Sequence, residues 1–100
     1  MAIIGIFTKN DRGFSGTIKT LTLSHTLHFR AVEKDSEKAP DFRIYAGKEE
    51  IEVGAGWQKT SREGHDYVSV KLDDPTFPAP VYPNLSETDE AGTYKLVWSR

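Results

Sequence analysis

The stretch GWQKTSREGHDYVSVKLDDPTFPAPVYPNL, residues 56–85, decides the fold. Within it, Val68, Val70 and Leu72 alternate with polar residues, which predicts a strand with one buried face. A polar turn ending in Gly64 precedes this strand, and a segment with four prolines follows it. The stretch therefore predicts a scaffold of strands and turns, without the motifs typical of an active site.

The same two-residue period runs through almost the whole chain. Apolar alternation begins again near Ile4, Phe14, Leu27 and Phe42, and it recurs at the end of the chain. No window of a dozen residues keeps a helical period, and only residues 86–91 could form one turn of helix. We therefore predict one all-β domain, residues 1–100, folded as a small antiparallel barrel or strongly curved sheet of six to seven strands, with an OB-like barrel as one form.

Side-chain parity predicts two details of register. Ile18 and Leu21 have opposite parities, which predicts a β-bulge or bend near residues 19–20. Trp57 continues the apolar alternation that starts at Ile51, so we expect a core tryptophan whose indole N–H needs a partner.

Turn residues fall between the apolar runs. The segment NDRG (residues 10–13) supplies Asn and Asp side chains that can bond their own backbone and a glycine that tolerates positive φ. AGKE (46–49) and SREG (61–64) are predicted to be two further tight connections. The first two strands are predicted to form a hairpin. Residues 35–40 and 84–92 are expected to be longer connections.

Length and composition limit the class of protein. A chain of 100 residues has the size of one domain and buries roughly two-thirds of its unfolded surface. It contains no cysteine, which excludes disulfides and thiolate metal sites and suits a reducing compartment. No apolar run approaches the ~20 residues needed to span a bilayer, and no basic region precedes the apolar N-terminus. We expect a soluble, cytoplasmic protein without a membrane partner.

Charge is unevenly distributed along the chain, although the net charge is only −2. Bases prevail in residues 1–32, whereas acids prevail in residues 33–53 and 73–92. Such segregation could produce a basic face and an acidic rim. The net charge, however, argues against strong non-specific binding to a polyanion.

Catalytic and metal-binding arrangements are not indicated. His25 and His28 would point to opposite faces of a strand and could not share a metal, and the same applies to Asp73 and Asp74 as an acid/base pair. The glycine-rich phosphate loops and the nucleophile elbow are absent from the sequence. We therefore expect no enzyme, no metal and no cofactor.

The polar face of the middle strands is the most informative candidate site. If the apolar residues point inward, cations and flat aromatic rings interleave on the outside, as on a platform for single-stranded nucleic acid. The same composition is also common on the solvent face of ordinary sheets, where cation and aromatic pairs stabilise the fold. The candidate nucleic-acid-binding residues are Arg30, Arg43, Tyr45, Lys59, Arg62, Tyr67 and Lys71.

The proline segment PTFPAPVYPN, residues 75–84, contains two PxxP spacings. It could dock into an aromatic groove as a polyproline II helix. We favour a structural segment at a strand edge, because Phe77, Val81 and Leu85 give it apolar side chains to bury.

The chain resembles a known family. The matching segments are MAIIGIFTKNDRGFSGTIKTLTL, APDFRIYAG, residues 56–85 and the closing YKLVWSR, which together resemble an uncharacterised bacterial family catalogued as domain of unknown function 736. The resemblance implies a small protein of alphaproteobacteria and their relatives, often encoded on plasmids and integrative elements. It carries over no catalytic residues. The pattern from Trp57 to Ser69 is also similar to that of small phage-type proteins suspected of binding single strands.

Two functional hypotheses follow. The first is an accessory module for single-stranded nucleic acid, with the seven candidate residues on one face of the barrel and an affinity that falls steeply with salt. The second is a protein-interaction module for mobile-element maintenance or evasion of host defence. It would use the acidic region from Asp73 to Glu90 or pair through an exposed strand to form a homodimer.

Overall fold

The computed structural model describes residues 2–98, which form eight antiparallel strands. Each strand pairs with its neighbours in sequence, and β1 also pairs with β8, so the sheet closes into an up-and-down barrel. The strands are β1 (Ala2–Asn10), β2 (Gly13–Lys19), β3 (Ser24–Ala31), β4 (Phe42–Ala46), β5 (Ile51–Thr60), β6 (Asp66–Leu72), β7 (Asn84–Glu87) and β8 (Thr93–Trp98).

The prediction of an all-β antiparallel barrel is confirmed, with eight strands where six to seven were expected. The described residues contain no helix. The strand order differs from the OB-like form, because an OB-fold is a five-stranded Greek-key barrel whereas these strands follow one another around the barrel. None of the described residues belongs to a helix long and apolar enough to cross a membrane.

The additional strand is β7, which lies in a segment predicted to be a loop or a helical turn. Leu85 is fully buried there and pairs with Val68 on one side and Leu96 on the other, both also buried. Four residues are too few to show an alternating pattern, and the acidic residues that follow resemble a loop. Burial of Leu85 in the barrel explains why this segment is a strand.

The barrel has two ends, set by the alternating strand directions. We call one the proline end, formed by residues 20–23, 46–50 and 73–83. The opposite end is formed by residues 10–13, 32–41, 61–65 and 88–92.

The core contains a cluster of aromatic rings centred on Phe14. Its ring centroid lies 4.7 Å from that of Tyr94 and 6.0 Å from that of Phe29, in edge-to-face geometry. Phe29 in turn contacts Phe7 at 5.3 Å, and Phe42 lies 5.5 Å from Phe14. Aliphatic side chains, including Ile18, Leu27 and Leu72, complete the core.

A β-bulge at Val53 overturns the predicted orientation of Trp57. Ile44 pairs with Gly54 whereas Tyr45 pairs with Glu52, so Val53 is an extra residue in β5. After the bulge Gly54 and Gly56 face the interior, and Trp57 faces outward. The expectation of a core tryptophan was therefore wrong, although its indole N–H does have a partner.

The predicted bulge or bend near residues 19–20 is present as a bend at the proline end. β2 ends at Lys19, and residues 20–23 form the turn that connects it to β3. Thr20 Oγ1 accepts a hydrogen bond from the Leu23 N–H in this turn, and Leu21 is fully exposed. A bulge does occur in β1, between Ile3 and Gly5.

The three predicted tight turns are confirmed. β1 and β2 form a hairpin in which Asn10 Oδ1 accepts hydrogen bonds from the N–H groups of Arg12 and Gly13, at 2.9 and 3.0 Å. The proline segment lies alongside β6, where Leu72 and Val81 exchange two backbone hydrogen bonds of 2.8 Å. Phe77 and Val81 pack against the core, as the structural interpretation of this segment requires.

Candidate functional site

The strand pairing places the predicted cations and aromatics on one outer surface of the barrel. Arg30, Arg43 and Lys71 lie in one cross-strand row, in which Ala55 separates the last two. All three alternate with buried residues and therefore point outward. Tyr45, Lys59 and Tyr67 share this outward parity, whereas Arg62 lies in the turn between β5 and β6.

The half of this surface formed by β3 and β4 is occupied by ion pairs. Arg30 donates a hydrogen bond to Glu50, and its guanidinium carbon lies 5.1 Å from the centre of the Tyr45 ring. Arg43 Nη1 donates to Glu52 Oε2 at 3.0 Å. The hydrogen bond from Arg30 holds the pKa of the Glu50 carboxyl below its ordinary value, and that bond raises the pKa of Arg30. Both arginines and the Tyr45 ring are thus already engaged within the protein.

The other half, which we call the β5–β6 face, consists of Trp57, Lys59, Tyr67, Ser69 and Lys71. Trp57 lies opposite Ser69, and Lys59 lies opposite Tyr67. Within residues 2–98 the ion-paired cations are Arg30, Lys34 and Arg43, so neither lysine of this face is tied to a carboxylate. The β5–β6 face therefore presents two aromatic rings beside two ammonium groups that are not ion-paired.

A short network fixes the edge of this face. Trp57 Nε1 donates a hydrogen bond to the carbonyl oxygen of Lys38, 3.0 Å away. The Gln58 N–H donates to Asp41 Oδ2 at 2.8 Å, and the other oxygen of Asp41 lies 3.4 Å from Lys34 Nζ. The loop of residues 32–41 is thereby attached to the outside of β5.

Trp57 was predicted to lie in the core because the alternation of inward and outward side chains was extended from Ile51 to Trp57 without allowing for the bulge at Val53. A signal was present in the sequence VGAGW, where Gly54 and Gly56 share a parity. A Cβ on Gly56 would lie 2.8 Å from Val68 Cγ1, so the crowded interior is on the glycine side. Glycine at both positions indicates that neighbouring strands approach closely on that face, which places Trp57 on the opposite face.

The histidines are separated as the strand geometry predicts. His25 lines a cavity at the proline end, whereas His28 faces outward with its Nδ1 3.0 Å from Ser15 Oγ. Across the described part of the chain, no three His, Asp or Glu side chains are grouped closely enough to hold a metal ion.

Each end of the barrel contains a cavity. The cavity at the proline end has a volume of about 480 Å³ and is lined mainly by aliphatic side chains such as Leu27, Val53 and Leu72. The cavity at the opposite end, of about 650 Å³, is more polar and includes Lys9 and Glu87.

The seven candidate residues, the bulge in β5 and the closed barrel all lie within the part of the chain that one family model matches. The model of a family described as "Protein of unknown function (DUF736)" matches residues 3–100. The chain belongs to this family. The DUF736 match extends from β1 to the end of the chain, which confirms the resemblance seen in the sequence. No curated protein and no solved structure matches the chain.

Proposed function

We propose that this DUF736 protein is a non-enzymatic module that binds single-stranded nucleic acid on the β5–β6 face, as an accessory protein of mobile elements. The observation that carries the proposal is the outward position of Trp57 and Tyr67 on adjacent strands, beside Lys59 and Lys71. Rings in such a position can stack bases irrespective of sequence, and ammonium groups beside them can contact phosphates.

The spacing of rings and cations on this face suits a flexible single strand of nucleic acid. Trp57 and Lys59 are two residues apart along β5, a separation of about 6.6 Å, and the paired strands lie about 4.8 Å apart. A base stacked on one ring thus has a cation within reach of its own phosphate. Each stacked base contributes about 1–3 kcal/mol, so two rings suffice for measurable binding at low salt.

The acids on the β3–β4 half limit the extent of the proposed site. Glu50 and Glu52 neutralise Arg30 and Arg43, and the net charge of the chain is −2. Long-range attraction of a polyanion is accordingly weak, and contacts are concentrated on the lysines. We expect modest affinity that depends on Lys59 and Lys71, with Arg62 as a third contact at the adjacent turn.

A second candidate function is interaction with a protein partner or with another copy of the chain. It is favoured by exposed apolar side chains, above all Leu21, which is fully exposed, and Ile3 and Ile6 on β1. Each described strand is paired on both sides, so a homodimer formed by strand addition would require the barrel to open. A face-to-face contact, through these apolar residues or the acidic region after β6, needs no such opening.

The test is fluorescence anisotropy of a labelled single-stranded oligonucleotide at low and at physiological salt. We expect saturable binding by the wild type and a large loss for Lys59→Gln/Lys71→Gln. The matched control is Lys19→Gln/Lys95→Gln, which removes two lysines of similar exposure from β2 and β8 and should bind as the wild type does. For Lys59→Gln/Lys71→Gln the plot of log affinity against log salt should become less steep by about 1.4, because each lost phosphate contact reduces the steepness by about 0.7.

Two results would contradict the proposal: no binding at low salt, or equal losses for the two double variants. In either case the protein-interaction hypothesis becomes the leading one, and sedimentation analysis of the chain alone would then measure its self-association.

A further inference from the structure

The cavity at the proline end is distinct from the β5–β6 face. It opens inside the barrel, whereas Trp57 and Lys71 lie on the outer surface. Ile18, Leu27 and Leu72 form its buried aliphatic floor, and Ile51 and Phe77 stand at its mouth. At about 480 Å³ it falls within the range typical of small-molecule sites, which are often found in the mouths of β-barrels.

The distribution of side chains in the barrel explains the cavity. The five rings of the aromatic cluster contact one another elsewhere in the core, and none of them lines this cavity. The inward position at the end of β4 is occupied by the small residue Ala46. The barrel is therefore filled with rings over part of its length and left open among aliphatic side chains at the proline end.

A rigid turn covers one side of the mouth. Asp74 Oδ2 accepts hydrogen bonds from the N–H and the hydroxyl of Thr76, and the Asp74 carbonyl accepts one from the Phe77 N–H at 2.8 Å. These bonds hold Phe77 against the core while Asp74 faces the cavity. The hydrogen bonds from Thr76, aided by the nearby His25, keep the pKa of the Asp74 carboxyl below its ordinary value.

Besides Asp74 and the nearby His25, two charged side chains line the mouth of the cavity. Lys48 and Glu49 are adjacent on the exposed turn between β4 and β5, and their charges offset one another. Asp74 Oδ1 accepts no hydrogen bond from the described residues. An ionised carboxylate with a free oxygen beside an apolar wall is complementary to an ammonium group attached to a hydrocarbon body.

We infer that the proline end of the barrel binds a small amphipathic amine, with its apolar body among Leu27, Val53 and Leu72 and its ammonium group on Asp74. The volume corresponds to about 16 water molecules of liquid, so a ligand body of on the order of 15 non-hydrogen atoms fills it. This site is additional to the proposed nucleic-acid site and does not depend on it.

The test uses displacement of the neutral dye N-phenyl-1-naphthylamine, whose fluorescence rises in an apolar site. We expect saturable binding of one dye per chain at pH 7. Decylamine, below its micelle concentration, should displace the dye at about tenfold lower concentration than decanoate, because a charge-assisted hydrogen bond forms only with the amine. In Asp74→Asn the dye should still bind, but the preference for the amine over decanoate should disappear.

A second test compares two isoleucines of similar exposure, Ile51 at 54% and its control Ile6 at 52%. Ile51→Glu places a charge at the mouth and should weaken dye binding about tenfold or more, whereas Ile6→Glu on the outside of β1 should leave it unchanged. Equal dye binding by these two variants would overturn the inference, as would an amine preference that persists in Asp74→Asn. Absence of saturable dye binding by the folded wild type would overturn it as well.

Discussion

The indole N–H of Trp57 donates a hydrogen bond to the backbone carbonyl of Lys38, and this bond joins β5 to a loop 19 residues earlier in the chain. The tryptophan is therefore held on the outer surface of the barrel in one orientation. A ring held in this way can accept a stacked base with little loss of side-chain entropy, which is the advantage of a preorganised site.

Replacing Trp57 by phenylalanine should separate the role of the hydrogen bond from that of the ring. Trp57→Phe keeps an aromatic surface but leaves the Lys38 carbonyl without its donor. We expect the free energy of unfolding to fall by about 1 kcal/mol, measured by urea denaturation. Oligonucleotide binding should persist in Trp57→Phe and be strongly reduced in Trp57→Leu. Equal binding by the two variants would show that stacking on this residue is unimportant.

Removing the acids beside the β3–β4 arginines should extend the nucleic-acid site. In Glu50→Gln/Glu52→Gln, Arg30 and Arg43 lose their carboxylate partners, and the surface gains two units of positive charge. Oligonucleotide affinity should rise at low salt, and the salt slope should steepen by up to about 1.4. Thermal stability should change little, because ion pairs at the surface contribute little. The matched control is Glu33→Gln/Asp89→Asn, which changes the net charge equally in two exposed loops away from the candidate residues. Equal gains in affinity for both double variants would mean that only net charge matters.

Gly54, next to the β5 bulge, and Gly47, in the turn between β4 and β5, should differ in their tolerance of alanine. A Cβ on Gly54 would collide with the backbone carbonyl oxygen of Lys71, whereas one on Gly47 would meet nothing within 4 Å. Gly54→Ala should cost about 3 kcal/mol of unfolding free energy, because a backbone contact has to shift. Gly47→Ala, at a φ of 68°, should cost only about 1 kcal/mol. Urea denaturation of the two variants checks this order, and the reverse order would argue against the register of β5 and β6.

Tyr94 should make the barrel sensitive to alkaline pH. Burial, followed by the charge of Glu87, raises the pKa of its phenol above the ordinary value of about 10. The unfolded chain therefore loses this proton first as the pH rises. The contribution of the Tyr94 phenol to the stability of the folded protein is complete below pH ~10, and it is lost as the pH rises through the folded-state pKa of Tyr94. Tyr94→Phe should flatten the fall in melting temperature above pH ~10, while Tyr82→Phe, at an exposed tyrosine, should not.

Much of the fold follows from local patterns in the sequence. The alternation of Val68, Val70 and Leu72 identifies β6, and Asn10 with Gly13 identifies the first hairpin, because both signals depend only on neighbouring residues. The outward parity of Arg43, Tyr45 and Lys71 could be predicted for the same reason.

The remainder depends on contacts between distant segments. The apolar alternation alone does not show that Val53 is an extra residue opposite Ile44 and Tyr45, and this single bulge reverses the orientation of Trp57. The spacing of Gly54 and Gly56 is the one local indication of that reversal. Leu85 becomes a strand residue only because β6 and β8 lie on either side of it. The ion pairs of Arg30 and Arg43 could not be foreseen either, because the turn between β4 and β5 determines where Glu50 and Glu52 lie.

The central claim is that single-stranded nucleic acid contacts the β5–β6 face, and an NMR titration tests it most directly. Adding an unlabelled oligonucleotide to ¹⁵N-labelled protein at low salt should shift the indole resonance of Trp57 and the amides of Lys59, Tyr67, Ser69 and Lys71. The amides of β1 and β2, on the other side of the barrel, should stay unchanged and serve as an internal control. Shifts confined to other strands, or no shifts at saturating oligonucleotide, would contradict the claim.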